Sequence, residues 1–222
     1  EQLIERAQPA RHRDERARVF HQADLAGEEV LKLDALIDIR ILALLVGQND
    51  VEPVTRAARL VRATDPDLTD FPFLFISAPG SLALTDDEVT ALRAYLQNGG
   101  FILMTDSWGE NDENNVTRVF QRVLPGSRFI ELPIEHPLYP AVFNITEKAQ
   151  VPNIRIGMKI PGTRIAHRVI LDDKGRIMVM SLHNSDDSDG WEREGEDPRL
   201  FYNFSPDGYA VGINIVLYAM TH

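Results

Sequence analysis

One central stretch constrains the fold most, because it reads as a strand, a helix and a second strand in succession. The apolar runs at 73–77 and 101–105 have the length and composition of buried strands. Between them, Thr85 and Glu88 form a capping box that begins a helix. Asn98-Gly99-Gly100 ends that helix, since these residues tolerate a left-handed C-terminal cap. Two strands joined in this way pair in parallel through a right-handed crossover.

Further elements follow the same alternation along the chain. Apolar spacing predicts a helix over 112–124, a parallel core strand over 128–132, a hairpin of strands 164–171 and 176–182, and a final helix over 209–220. The continuous run 41–46 fits either a buried helix or a strand that follows a helix, and periodicity leaves both open.

These elements predict an α/β protein of the three-layer, flavodoxin-like kind with a mainly parallel central sheet. Residues 1–25 are polar and rich in arginine, which favours an N-terminal arm. Residues 26–222 then form a single domain, a size that supports one full hydrophobic core.

The charge balance narrows the classes of partner. With 23 Lys and Arg against 34 Asp and Glu, the net charge is -11, which argues against nucleic acids and anionic membranes. No apolar run approaches the roughly 20 residues of a spanning helix, so membrane insertion is not expected. The chain has no cysteine, which excludes thiol nucleophiles, disulfides and thiolate metal sites.

Polar side chains at the ends of the predicted strands form the candidate site. In an open parallel sheet, ligands bind beyond the carboxyl ends of the strands. The two tryptophans are interpreted as ligand platforms or lids over this edge. The candidate ligand-binding residues are Ser77, Asp106, Trp108, His136, His183, Asp186 and Trp191.

The sequence Thr105-Asp106-Ser107-Trp108-Gly109 comes close to a nucleophile elbow, which places a reactive serine between a strand and a helix. Threonine replaces the first glycine of that motif, and a branched residue is unfavourable in such a strained turn. This replacement argues against catalysis. The catalytic candidates at this edge are Ser107, Asp106 and His136, and the competing interpretation is that Asp106 and Ser107 cap the next helix.

Metal binding has weaker support. His136 and His183 are candidate ligands, with Asp106 or Asp186 completing the set, because imidazole and carboxylate suit divalent transition metals. The loop 184–190 resembles a calcium loop, but its glycine comes one residue late and Gly195 stands where glutamate is needed. A solvated acidic loop is expected over 186–197, and no cofactor is expected.

Several short motifs together resemble the bacterial family called domain of unknown function 4159. The resemblance covers roughly residues 64–222 and also reaches, more distantly, trehalose-utilisation-type proteins. The motifs that carry it are 71–75, 84–88, 98–101, His136-Pro137, 175–180, 190–192, 212–215 and 221–222.

The resemblance implies a class I glutamine-amidotransferase-like fold, although the absence of cysteine rules out amidotransferase chemistry. It also implies export after removal of a leader and an assembly with AAA-type ATPases or von Willebrand-type proteins. A cytoplasmic location is the alternative.

The leading functional hypothesis is a non-catalytic module that binds a small molecule, a sugar or a protein partner. The alternative is a metal-dependent or serine hydrolase that uses Asp106, His136 and His183.

Overall fold

The computed structural model describes residues 41–43, 59–155, 159–192 and 195–222. The predicted arm over 1–25 lies outside these residues. Of the ambiguous run 41–46, the described part is a strand, Ile41–Ala43.

The described part contains seven strands and four α-helices. The strands are β1 (Ile41–Ala43), β2 (Arg59–Val61), β3 (Phe73–Ser77), β4 (Phe101–Ser107), β5 (Ile130–Glu131), β6 (Ala166–Leu171) and β7 (Ile177–His183). The helices are α1 (Asp86–Gln97), α2 (Gly109–Val123), α3 (Asp187–Glu192) and α4 (Pro198–Thr221).

The strands form one mixed sheet in the order β2-β1-β3-β4-β7-β6-β5. Strand β4 pairs in parallel with β3 on one side and β7 on the other. Every other pairing among these strands is antiparallel. The predicted parallel pairing of 73–77 with 101–105 is confirmed, and so is the hairpin of β6 and β7. The sheet is parallel only at its centre, not throughout.

The prediction of a parallel core strand over 128–132 is wrong. Only Ile130 and Glu131 pair, and they lie antiparallel to β6 at the edge of the sheet. The place beside β4 is taken by β7, whose seven residues are all buried. A long apolar strand gains more from the centre of the sheet than a segment in which Ile130 is 37% exposed.

Helices cover both faces of the sheet, because side chains alternate along each strand. Leu74 and Ile76 of β3 belong to a core cluster with α1 and α2. Phe73 and Phe75 face the opposite cluster, which includes Val211 and other residues of α4. The α/β class predicted from the sequence is therefore confirmed.

Helix α1 has the predicted bounds and caps. The Thr85 backbone N–H donates to Glu88 Oε2 at 2.8 Å, and the Glu88 N–H donates to Thr85 Oγ1 at 3.3 Å. At the other end, the Arg176 guanidinium donates to the carbonyl of Leu96 at 3.0 Å. A Cβ at Gly100 would lie 2.3 Å from the Tyr95 ring, so this position requires glycine.

The acidic stretch after β7 differs from the expected solvated loop. It contains helix α3, and the side chains from Ser185 to Asp189 are buried. Helix α3 packs on α4 at Gly208, where a Cβ would lie 2.9 Å from the Asp187 carbonyl oxygen. Helix α4 begins at Pro198, eleven residues before the predicted start at 209, and Asp197 caps it.

Among the described residues, no helix combines the length and the apolar character that crossing a bilayer requires.

We expect Leu92→Ala to lower the free energy of unfolding by about 2–5 kcal/mol, the usual range for emptying a buried leucine site. Leu92 is fully buried in the cluster beneath α1. Gln97→Ala, on the exposed end of the same helix, is the control and should change stability by less than about 0.5 kcal/mol. Denaturant titration measures both. Equal effects of the two substitutions would contradict burial of this face.

Candidate functional site

Backbone strain is concentrated at the carboxyl ends of the three parallel strands. Within the described residues, three non-glycine residues have positive φ: Ala78 at 53°, Asp106 at 59° and Asn184 at 61°. Ala78 and Asn184 directly follow β3 and β7, while Asp106 lies near the end of β4. Left-handed residues of this kind cost energy and cluster at functional sites, so this edge is the candidate site.

A β-bulge near the end of β4 sets the position of Asp106. Met104 pairs with Ser181 and Ser107 with His183, so β4 has one more residue than β7 between these pairs. The extra residue re-aims the local backbone. Asp106 Oδ1 accepts a hydrogen bond from Trp108 Nε1 at 2.6 Å and a longer one from Asn153 Nδ2 at 3.4 Å.

Asp186 lies close behind Asp106. Its Oδ2 accepts from the same Asn153 nitrogen at 2.9 Å, and its Oδ1 accepts from Ser188 Oγ at 2.5 Å. Burial raises the pKa of Asp186, and the neighbouring Asp106 and Asp189 carboxylates raise it further. Asn153 therefore bridges two carboxyl groups whose environments differ, one half-buried and one almost fully buried.

Ser107 and His183 form a second, deeper contact at the same edge. Ser107 Oγ lies 3.2 Å from His183 Nδ1, and His183 Nε2 lies 3.5 Å from Glu113 Oε2. The other carboxylate oxygen of Glu113 lies 2.6 Å from the Arg168 guanidinium. The Ser107 and His183 side chains are both buried, with Ser107 only 1% exposed.

The charge state of His183 determines whether its contact with Glu113 is an ion pair. Burial lowers the pKa of His183 and nearby Arg168 lowers it further, while Glu113 opposes the shift. The imidazole is therefore neutral at pH 7, so its contact with Glu113 is not an ion pair, and Glu113 pairs with Arg168 instead. The arrangement has the residue types of a serine hydrolase, but the serine meets Nδ1 and is inaccessible to a substrate.

His136 lies at the other end of the sheet, contrary to the expected shared site. Its ring centroid is 5.7 Å from that of Tyr218. The Tyr218 hydroxyl accepts from the N–H of Ile177, the first residue of β7, whereas His183 is the last. Six steps along a strand span about 20 Å. The proposed cluster of Asp106, His136 and His183 does not exist, nor does a metal site that joins the two histidines.

The reason lies in the segment after β5. A turn closed by the His136 N–H on the Pro133 carbonyl, at 3.0 Å, reverses the chain. Leu138 and Tyr139 then become fully buried on the face of the sheet. Their burial draws His136 away from the strand ends.

Trp191 is partly buried and packs against the hydrophobic core, so it is not a lid. Its ring meets Phe75 edge-on at 6.4 Å, and a Cβ at Gly212 would lie 2.4 Å from the indole. Trp108 is half-buried at the candidate site, and Ser77 is exposed at the end of β3. Neither Asp106 nor Ser107 caps α2, whose N-cap residue is Trp108.

Other members of the site were not predicted. Asn153 comes from an irregular loop and Glu113 from the first turns of α2, and neither belongs to a recognisable motif. Only the tertiary structure brings them to Asp106 and His183. No group of three or more His, Asp or Glu residues in the described ranges has a metal-binding arrangement.

The fold and site define an α/β protein with a candidate site at the carboxyl ends of its central parallel strands. The chain belongs to the family Domain of unknown function (DUF4159), whose family model matches residues 38–220. The resemblance found in the sequence over 64–222 is thus confirmed, and the match extends further towards the N-terminus. No curated protein matches the chain.

Asp187, next to the site, is a buried carboxyl group with few polar partners to offset its loss of hydration. It is 1% exposed, and no hydrogen bond of good geometry reaches either carboxyl oxygen within the described part of the chain. Burial raises the pKa of Asp187 to about 7, and the nearby Ser185 hydroxyl opposes the shift. That hydroxyl already accepts a hydrogen bond from the Val151 backbone N–H and donates to the Val151 carbonyl.

We expect Asp187→Asn to stabilise the protein at pH 8 and to have little effect at pH 4. Between pH 4 and pH 7 the folded state binds more protons than the unfolded state, so wild-type stability falls as the pH rises through this window. The amide cannot ionise, which should give the variant an advantage of roughly 2–4 kcal/mol at pH 8. Urea titrations across the pH range measure this difference.

Asp173→Asn, on the exposed hairpin turn, is the matched control and should follow the wild-type pH dependence. An Asp187→Asn variant that loses stability in parallel with wild type would show that Asp187 does not cause the dependence.

Proposed function

We propose that the protein is a non-catalytic binding domain that holds a neutral, hydroxyl-rich small molecule of the sugar type at the carboxyl ends of β3, β4 and β7. Family membership supplies no activity, since the family is described only as a domain of unknown function. The proposal therefore rests on the chemistry of the site.

The observation that carries the proposal is the carboxylate of Asp106. A left-handed backbone and a bulge hold this residue in place, and Trp108 and Asn153 fix its Oδ1. Its Oδ2 has no hydrogen bond to any described residue, and the side chain is only half-buried. A positioned carboxylate with a free acceptor oxygen suits a ligand that offers hydroxyl donors.

Trp108 adds an aromatic surface beside this acceptor. Its indole N–H is engaged by Asp106, which orients a half-buried ring at the edge of the site. An oriented aromatic ring next to a carboxylate combines apolar contact with hydrogen-bond acceptance, and a sugar ring needs both. Anionic ligands are disfavoured, because Asp106, Asp186 and Asp189 lie together in a chain of net charge -11.

The lack of cysteine excludes amidotransferase chemistry on the glutamine-amidotransferase-like fold that we propose for this domain. Export, and assembly with AAA-type ATPases or von Willebrand-type proteins, belong to the same proposal and rest on the family resemblance alone.

Ligand-observed NMR with glucose, N-acetylglucosamine and a glucose disaccharide tests the proposal. We expect saturation transfer to the ring protons of at least one sugar. Asp106→Asn should weaken its binding about tenfold or more, as loss of hydrogen bonds to a charged group usually does. Asp173→Asn serves as the control at the opposite end of the sheet. Absence of transfer from all three sugars, or equal binding by both variants, would contradict the proposal.

A serine hydrolase is the second candidate, because Ser107 contacts His183 and His183 in turn contacts Glu113. We expect Ser107→Ala to leave sugar binding unchanged and the wild-type protein to resist a fluorophosphonate probe, since the hydroxyl is buried. Covalent labelling of wild type, absent in Ser107→Ala and His183→Ala, would instead establish the hydrolase.

A further inference from the structure

Exposed apolar side chains are gathered on one surface. Of the nine large hydrophobic residues exposed in the described part, seven lie on α4 or on the loop tied to it. We name this surface the α4 face. It consists of six of these seven residues, because Phe201 lies about 100° around the helix from Tyr202: Val142, Phe143, Tyr202, Ile213, Leu217 and Met220.

The members on α4 form a stripe along the helix. Tyr202, Pro206, Ile213, Leu217 and Met220 recur at intervals of three, four or seven residues, so they share one side of the helix. The stripe is about 27 Å long at 1.5 Å per residue. The opposite side of α4 is buried on the sheet through Val211, Ile215 and Tyr218. The helix is thus apolar on two sides, and only one of them has a partner within the described residues.

The loop at 142–143 is hydrogen-bonded to α4 beside this stripe. Asn214 Oδ1 accepts hydrogen bonds from the N–H groups of Val142 and Phe143, each at 3.0 Å. Its Nδ2 donates to the carbonyls of Tyr139 and Phe143. Asn214 is fully buried, and its hydrogen bonds place the exposed side chains of Val142 and Phe143 beside α4, where they widen the apolar surface.

Charge limits what can cover the α4 face. From 202 to 220 the charged residue is Asp207, which lies about 100° around the helix from Pro206 and therefore beside the stripe, and no Asp, Glu, Lys or Arg occurs from 137 to 146. A strongly charged partner would find nothing to complement it. An interfacial membrane helix carries many Lys and Arg residues, whereas α4 has only Arg199.

A second copy of this chain fits these limits. Two copies of net charge -11 repel each other over most of their surfaces, but not across an uncharged face. A twofold contact also requires a patch that complements itself, which an apolar helix stripe does. We propose that the protein forms a symmetric dimer in which the α4 helices of two copies pack antiparallel.

The length of the stripe sets the register of this contact. Because it runs from 202 to 220, antiparallel pairing brings Tyr202 of one copy beside Met220 of the other. A helix stripe alone is narrower than a standard interface, which buries about 800 Å² on each partner. The loop at 142–143 supplies additional width on each copy.

Sedimentation equilibrium of the 222-residue chain, from about 1 to 200 μM, tests the proposal. We expect a reversible dimer with a Kd in the micromolar range. Leu217→Lys, which places a charge within the apolar stripe, should raise the Kd at least tenfold while circular dichroism stays unchanged. Ile130→Lys is the matched control, since Ile130 is 37% exposed and Leu217 40% exposed, and Ile130 lies on the edge strand. It should dimerise like wild type.

The absence of cysteine permits a second measurement. Ile213→Cys introduces a single thiol, which a short bis-maleimide should cross-link into dimers at micromolar protein, whereas Ile130→Cys should not cross-link. A wild-type protein that is monomeric throughout overturns the proposal. So does a dimer that Leu217→Lys leaves intact, or binding of monomeric wild type to phosphatidylcholine vesicles that Leu217→Lys abolishes.

Discussion

The structure depends on the pairing of β4 in parallel with β3 on one side and β7 on the other. Every apolar residue of β4 is 2% exposed or less, so it is packed from both faces and hydrogen-bonded along both edges. Three parallel strands in succession place three carboxyl ends at one edge. These ends are joined by backbone hydrogen bonds from Ala78 to Thr105, from Asp106 to Ser185 and from Asn184 to Ser107. Those links hold the left-handed residues of the candidate site in place.

The acidic stretch after β7 shows how the same edge accommodates buried charge. Asp186 has hydrogen bonds from Asn153 and Ser188, whereas Asp187 lacks comparable partners within the described residues. Both groups have raised pKa values because they are buried, and protonation removes charge that the site cannot solvate. A site assembled this way depends on pH even where it performs no proton transfer.

The fold around Asp106 does not by itself determine the chemistry of the site, as in many α/β proteins. Around Asp106 to Gly109 the end of a strand, a strained turn and the start of a helix follow one another, which is the arrangement of a nucleophile elbow. The strained residue is an aspartate, and the neighbouring serine is turned inwards to His183. The surface that remains accessible offers an acceptor oxygen and an aromatic ring.

Local signals determined much of the fold from the sequence. The capping box at Thr85, the glycines after Asn98 and the apolar runs on either side fixed α1 and the pairing of β3 with β4, because each signal acts within a few residues. The sequence also placed Asp106, Ser107, Trp108, His183 and Asp186 near one edge, since each of them ends or follows a strand at that edge.

Only the tertiary structure decided which strand lies beside β4, where His136 lies and what surrounds the acidic residues. Strand β7 lies beside β4 in place of the segment at 128–132, because β7 buries seven residues there. Which of two distant segments gains more from that position cannot be read from the local sequence of either one. Burial of Leu138 and Tyr139 carried His136 to the far edge. Close packing of α3 on α4 at Gly208 enclosed Asp187, which composition alone assigned to solvent. In each case the outcome depended on the burial of side chains far apart in sequence, and periodicity cannot encode that.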